Sequence, residues 1–160
     1  MIHAKTWKFG HGIDTDIIIP ARHLILPLDE MKYFAMAPID SEFAGNVTHG
    51  DVIVAGQNFG CGSSREQAPA VLKALGIKAI IAAGFARIFF RNAINLGLLV
   101  IECADLYSQI ENGDTIEIDP ASGKIYHPGK KKEFCSTKLP AFLLKIVAAG
   151  GLIPALKAAS

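Results

Sequence analysis

Apolar positions change their rhythm along this chain. Over the first 50 residues they come in short clusters broken by glycine and proline. Residues 5–9 predict a short strand, Gly10-His11-Gly12 a turn, and Ile17-Ile18-Ile19 an apolar run stopped by Pro20. Residues 29–36 predict a helix, with Asp29 suited to its N-cap and Pro38 beyond its end. From residue 51 the pattern is regular. Runs of small and β-branched residues at 51–55 and 79–83 predict buried strands, and residues 64–75 between them carry helical spacing closed by Gly76. The alternation continues with a helix over 86–95 ended by Gly97, a strand over 98–101 and a helix over 104–111.

Strands and helices at this spacing predict parallel neighbours with right-handed crossovers, because a tight hairpin cannot join parallel strands. Thr115–Asp119 and Lys124–His127, joined across Pro120-Ala121-Ser122-Gly123, predict a hairpin laid beside that sheet. Residues 138–149 and 152–158, parted by Gly150-Gly151, predict two closing helices. The expected fold class is α/β with a mostly parallel central sheet and an extended N-terminal segment, in one domain over residues 1–160.

The 16 basic and 15 acidic side chains leave a formal charge of +1, and the one basic run is Lys130-Lys131-Lys132. That gives no electrostatic footprint for nucleic acid or an anionic membrane surface, so neither is expected as a partner. Hydrophobic residues make up 51% of the chain, enough at this length for a core without staples. Cys61, Cys103 and Cys135 stand 42 and 32 positions apart, far from the close pairing of metal and redox motifs. A disulfide framework is not expected either. The first residues lack the apolar core of a secretory signal, and nowhere do about 18 apolar residues run together. A cytoplasmic protein with reduced thiols is the expectation.

The most informative segment is Asn58-Phe59-Gly60-Cys61-Gly62-Ser63-Ser64-Arg65-Glu66-Gln67-Ala68-Pro69, which follows a predicted strand and opens a predicted helix. Free backbone N–H groups at a helix start favour an anion, and Gly60 and Gly62 let the backbone come close to it. Two hydroxyls and the Arg65 guanidinium add donors suited to a carboxylate or phosphate. The plainer alternative is that Ser63 or Ser64 caps the helix, with Glu66 or Gln67 completing a capping box. A cap alone does not call for Gly-Cys-Gly ahead of it. A nucleotide P-loop is disfavoured, because its Gly-Lys-Ser/Thr ending is absent. Asp14 and Asp16 are two acids without a third ligand nearby, so a turn whose Asp side chains bond local N–H groups is the plainer reading. Arg87 and Arg91, four apart, share a helix face.

Three motifs in order carry a resemblance: Asp14-Thr15-Asp16-Ile17-Ile18-Ile19-Pro20, then Gly60-Cys61-Gly62-Ser63-Ser64-Arg65-Glu66, then residues 85–95, Phe-Ala-Arg-Ile-Phe-Phe-Arg-Asn-Ala-Ile-Asn. Together they resemble the small subunits of the isopropylmalate dehydratase family, themselves similar to the C-terminal swivel domain of aconitase. The resemblance spans nearly the whole chain and implies a single swivelling β/β/α domain. It implies a hydro-lyase of two chains, a heterodimer or heterotetramer acting on a 2-hydroxy dicarboxylate. A large subunit carries a 4Fe–4S cluster, and this chain holds no cofactor and no metal. By that resemblance Ser63 stands at the position of the base, and Ser64 and Arg65 stand as carboxylate binders beside the Gly62 backbone. Asp14 and Asp16 reach the cleft, and Arg87 and Arg91 lie at the site or at the subunit interface. Gln67 departs from the pattern, since many relatives have His there, and glutamine does not titrate near neutral pH.

Substrate choice in the family turns on the loop after the Ile-Ile-Pro run, where homoaconitase-like chains place an Arg for an extra carboxylate. Here the loop reads His23-Leu24-Ile25-Leu26-Pro27, and Ile25 stands at the Arg position with Leu24 beside it. An aliphatic side chain cannot compensate a desolvated carboxylate, whereas an alkyl substituent gains about 0.8 kcal/mol per buried methylene. The expectation is therefore interconversion of 2- and 3-isopropylmalate in leucine biosynthesis, with 2,3-dimethylmalate dehydratase or homoaconitase as the alternative within the family. Neighbouring Arg22 is a second candidate for the pocket if the loop register shifts. The alternative of another class is a non-catalytic domain that binds a dicarboxylate or docks to a protein.

Overall fold

A computed structural model describes residues 1–160. Its strands are β1 (Ile2–Lys8), β2 (Val52–Ala55), β3 (Ala79–Ala82), β4 (Leu99–Glu102), β5 (Thr115–Asp119), β6 (Lys124–His127) and β7 (Lys132–Cys135). They form one seven-stranded sheet in the order β4-β3-β2-β1-β5-β6-β7. The helices are α1 (Thr15–Ile18), α2 (Leu28–Met31), α3 (Phe43–Asn46), α4 (Gln67–Ala74), α5 (Arg87–Asn95), α6 (Ala141–Ala148) and α7 (Leu152–Ala159).

The parallel crossovers lie where the apolar rhythm predicts them. β1, β2, β3 and β4 pair in parallel, with Val52 opposite both Thr6 and Ala79, and Ala79 opposite Leu99. The β5–β6 hairpin does not lie apart from that sheet, however. It extends the same sheet through β1, with Ile2 opposite Ile118, and continues antiparallel into β7, so parallel and antiparallel halves are equal in extent. β7 escapes sequence reading because Phe134 is its one buried residue, as suits an edge strand.

Burial on both faces explains the unbroken apolar runs of β2, β3 and β4. Ile53, Ala55, Ile80, Ala82 and Val100 face a core completed by Phe9, Ile18, Ile19, Phe43, Phe59 and Leu72. Val52, Val54, Ala79, Ile81, Leu99 and Ile101 face a second core with Ile116, Ile118, Ile125 and Phe134. Asp51, buried just before β2, accepts from Trp7 Nε1 at 2.9 Å and from the Thr48 N–H at 2.8 Å.

Three helix predictions need correction, each for a local reason. α4 begins at Gln67 and not at residue 64. A helix from 64 would put Pro69 in its second turn, where the ring clashes with the carbonyl four residues back; starting at Gln67 places it in the first turn, where its missing N–H costs nothing. The helix expected over 29–36 is one turn, α2, entered through Pro27 and not capped by Asp29, followed by a 3-10 turn at Lys32–Phe34. The helix expected over 104–111 is only a 3-10 turn at Tyr107–Gln109, because Ile110 is already extended. No single helix is long and apolar enough to cross a membrane; α6 and α7 reach the length only as a pair bent by 95°.

One polar pair pins the antiparallel half. His127 Nε2 and Asp114 Oδ2 lie 2.8 Å apart, and His127 Nδ1 accepts the Lys130 N–H at 3.1 Å, so the ring proton sits on Nε2 and points at the carboxylate. The Glu111 N–H, foremost, and the His127 ring hold the Asp114 carboxyl below the usual carboxylate range. A lowered carboxylate contributes stability above its unfolded value, about 4, and that contribution is lost as pH falls through the lower folded value. Asp114→Ala should therefore reduce unfolding stability by about 1–2 kcal/mol at pH 7. In urea melts the gap between variant and wild type should close as pH is lowered from about 4 toward 2.

Candidate active site

The loop between β2 and α4 is held from below before it presents any side chain. Phe59 is fully buried and meets Phe85 and Phe89 edge-on, at ring separations of 6.0 and 5.3 Å. Its N–H donates to the Gly84 carbonyl and its carbonyl accepts from Ala86, both at 2.9 Å, so the loop is pinned to the segment entering α5. Gly60 follows at φ +82°, with no room for a Cβ over the Phe89 side chain. Gly60 N–H donates to Ile13 O at 2.7 Å, and Cys61 O accepts from the Thr15 N–H at 2.8 Å. These bonds stitch the loop to the N-terminal segment.

That segment delivers the Asp-Thr-Asp motif. Asp14 caps α1, accepting the Ile17 N–H on Oδ1 at 2.8 Å. Asp16 Oδ1 accepts the Ala21 N–H at 3.1 Å and lies 3.6 Å from Arg65 Nη1. Both acids thus have local bonding roles, and Asp16 also faces the loop's guanidinium.

Ser63 lies at the centre of the arrangement. Its Oγ accepts from Arg65 Nε at 2.7 Å and stands 3.3 Å from Thr15 Oγ1, while its N–H donates to Thr15 Oγ1 at 3.1 Å. Arg65, with a side chain only 17% exposed, also donates from Nη1 to the Ile19 carbonyl at 2.9 Å. Gly62, at φ +100°, packs its Cα side against Thr15 Oγ1. Exposed Ser64 is fixed through its carbonyl, which accepts from Asn92 Nδ2 at 3.1 Å.

This geometry corrects the expected source of anion stabilisation. Ser63 precedes the first helical residue by four positions, so it does not sit on the α4 N-terminus, and no side chain caps that helix. The donors around Ser63 Oγ are instead Arg65 and the α1 segment. Arg65 has Nε and Nη1 committed within the chain, which leaves Nη2 for an incoming carboxylate rather than the full fork.

Arg87 and Arg91 are not brought to the loop. Both line a cleft of about 670 Å³ with Lys138, Leu139 and Leu143, and neither bonds a loop residue. Successive helical residues point about 100° apart, so turning Asn92 to Ser64 turns Arg91 away. Of the specificity loop, Arg22 is exposed, Leu24 is half-buried against the larger core, and Ile25 is 90% exposed. Leu24 therefore serves packing first. His23 stacks on Phe34 at 3.9 Å, and burial first, then Arg22, lowers its pKa, which favours neutral imidazole.

Thr15 and Asn92 are the two contacts that sequence reading passed over. A signal existed for Asn92, since asparagine is a poor helix former and in a helix interior points to a side-chain bond. Thr15 carried none beyond its place between two acids. No three His, Cys, Asp or Glu side chains converge on a metal site. Cys61 is half-buried in the loop, while Cys103, its thiol pushed up by burial, lies under Cys135 O at 3.8 Å.

Against known proteins, residues 36–106 match the aconitase C-terminal domain family. A 3-isopropylmalate dehydratase small subunit from Lachnospira eligens is 54% identical over 96% of this chain and 92% of its own. An isopropylmalate/citramalate isomerase small subunit from Methanocaldococcus jannaschii is 46% identical over 98% of this chain and 95% of its own. This chain belongs to the 3-isopropylmalate dehydratase small-subunit family. The crystal structure of a 3-isopropylmalate dehydratase of this family, from M. jannaschii, superposes with a TM-score of 0.93 at 46% identity, covering 99% of this chain and 94% of that one.

Within this small-subunit fold the loop depends on its glycines more than on helix capping. Gly60→Ala would force a Cβ into Phe89 and hold alanine at positive φ. Strain and overpacking together should lower unfolding stability by about 2–4 kcal/mol, measured by urea denaturation.

Proposed function

We propose that this chain is the small subunit of a two-chain hydro-lyase that interconverts 2- and 3-isopropylmalate by dehydration and rehydration, in the cytoplasm. The observation that carries the reading is the Ser63 hydroxyl held at 2.7 Å from the Arg65 guanidinium on an exposed loop. Ser63 Oγ, as its oxyanion, takes the proton from the carbon next to a substrate carboxylate; the C–H bonding pair becomes the C=C bond, and the hydroxyl on the neighbouring carbon leaves with the C–O pair, as water once protonated. A serine hydroxyl is a weak base in water. A charge-assisted bond from Arg65, strengthened when a covering subunit excludes water, makes its oxyanion accessible. Arg65 Nη2 and the Ser64 hydroxyl bind a carboxylate, and Asp16 keeps the guanidinium turned to the loop.

The partner is a large subunit carrying a 4Fe–4S cluster, in a heterodimer or heterotetramer. When bound, that cluster supplies Lewis acidity toward the substrate hydroxyl. The thiols of this chain do not fit it, since Cys103 and Cys135 neighbour each other while Cys61 lies in the β2–α4 loop, and no set of three ligands converges. Exposed Leu28, three residues beyond Ile25, and Phe34, stacked on His23, add apolar surface to the specificity loop that suits a covering subunit.

An alkyl rather than a carboxylate substituent suits Ile25, and the M. jannaschii relative is named for citramalate as well as isopropylmalate, the substituent of citramalate being a methyl group. Smaller alkylmalates such as citramalate or 2,3-dimethylmalate are the second reading.

The test is anaerobic reconstitution with the large subunit over a panel of alkylmalates, homocitrate and citrate. Isopropylmalate turnover is expected, and no turnover with any of them would leave a non-catalytic binding domain. Ser63→Ala in that assay should lower kcat by about 10²- to 10⁴-fold with the fold and subunit assembly intact. Ile25→Arg should leave stability within about 0.5 kcal/mol of wild type, since the side chain is so exposed. It should lower kcat/KM for isopropylmalate about tenfold to hundredfold, with a smaller gain for the tricarboxylate.

A further inference from the structure

Thr15 is 2% exposed, yet its hydroxyl has no role in its own helix. Asp14, not Thr15, caps α1, and Thr15 Oγ1 makes no bond to a backbone carbonyl. Its two neighbours both belong to Ser63. Oγ1 accepts the Ser63 N–H at 3.1 Å, and Ser63 Oγ lies 3.3 Å away. A buried hydroxyl that accepts from an amide still has its proton to place, and Ser63 Oγ is the acceptor within reach. Ser63 Oγ then receives two donors, the Thr15 O–H and Arg65 Nε–H, and its own proton has no acceptor in the chain.

A hydroxyl oxygen surrounded by donors, with its own proton turned outward, is arranged for the charge it carries after losing that proton. We infer that Thr15 is the positioning residue for Ser63: it holds the Ser63 backbone through its N–H, meets Oγ with its own hydroxyl and, with Arg65, completes an oxyanion cradle around Oγ. In this role Thr15 touches no substrate. It lowers the barrier by making the deprotonated form of Ser63 more accessible, and the proton abstracted from the substrate carbon returns to that oxygen. The tight Gly62 contact fits the same role, because a Cβ at position 62 would lie 3.2 Å from Thr15 Oγ1 and press it off this position. The inference rests on Ser63 being the base, and the experiment separates the two.

The test uses the holoenzyme reconstituted with its large subunit, comparing wild type with Thr15→Val, Thr15→Ser, Ser63→Ala and the Thr15→Val/Ser63→Ala double variant. Valine keeps the shape of threonine and deletes both the donor and the acceptor. Thr15→Val is expected to co-purify with the large subunit and to lose about tenfold to hundredfold in kcat, with KM within about threefold. The ascending limb of its kcat/KM against pH should move about one unit higher, because Ser63 has become harder to deprotonate. Thr15→Ser should restore both the rate and the limb. In the Ser63→Ala background Thr15→Val should change the residual rate by no more than about twofold.

A Thr15→Val enzyme with wild-type kcat and an unmoved limb overturns the inference while an inactive Ser63→Ala leaves the base in place. A Thr15→Ser enzyme as slow as Thr15→Val also overturns it, by assigning the effect to the methyl group. An active Ser63→Ala removes the base and the inference together. If Thr15→Val does not assemble, Thr15→Ala against Thr15→Ser carries the same two readouts.

Discussion

β1 uses its two halves differently, and the rest of the molecule is built around that division. Its last three residues pair in parallel with β2, its first four antiparallel with β5, and one strand therefore joins a crossover half to a meander half. With hydrogen-bonding edges engaged on both sides, β1 leaves the sheet at a fixed height, and Phe9 N–H still bonds Val54 O at 2.9 Å as the strand ends. The segment that follows has little freedom. It runs beside the loop leaving β2, the same strand that β1 has just paired with. Parallel pairing thus brings the carboxyl ends of two strands together, and open α/β sheets bind ligands at such ends.

The proposed chemistry draws on that meeting of two connections. Neither the Asp-Thr-Asp segment nor the Gly-Cys-Gly-Ser-Ser-Arg loop is a site by itself. Backbone bonds from Gly60 to Ile13 and from Thr15 to Cys61 hold them in register, and the side-chain contacts are then short without long helices to support them. Phe85 and Phe89, packed on the loop's Phe59, and Asn92 supply the remaining rigidity from α5 and the segment before it. Rigid placement of a weak base matters more than its intrinsic strength, because a donor already aimed at a developing charge has no reorganisation left to do.

The parallel half was legible because both faces of β2, β3 and β4 are buried, and buried strands write themselves as continuous apolar runs. The Ser63 loop was legible as a polar loop between β2 and α4, and the resemblance named Asp16, Ser63 and Arg65, which the structure sets side by side; the helix start expected beneath Ser63 lies four positions on. What was not legible depended on partners distant in sequence. Pro69 carried enough information to place the α4 start at Gln67, but the caps Ser63 and Ser64 drew the boundary too early. β7 offered one buried side chain, so nothing local distinguished it from a loop. Thr15 becomes informative only when Ser63, 48 positions away, is seen beside its hydroxyl. Arg87 and Arg91 share one face of α5, as their spacing says, but the direction of that face depends on how Phe89, Ala93 and Ile94 seat the helix on the core.

The division of β1 also governs how the chain is made. Ile2 leaves the ribosome 116 residues ahead of its partner Ile118. At synthesis rates of about 5–20 residues per second, the first strand waits roughly 6–24 seconds for its antiparallel neighbour. An unpaired strand with apolar side chains invites pairing with the wrong chain during that interval. β1 carries its own protection, since His3 and Lys5 stand exposed between the more buried Ile2, Ala4 and Thr6. In the finished sheet these polar side chains find partners, His3 Nδ1 lying 3.1 Å from Glu117 Oε1 on β5 and Lys5 Nζ over the Trp7 ring; in the nascent chain the same alternation keeps the strand solvated until β5 arrives.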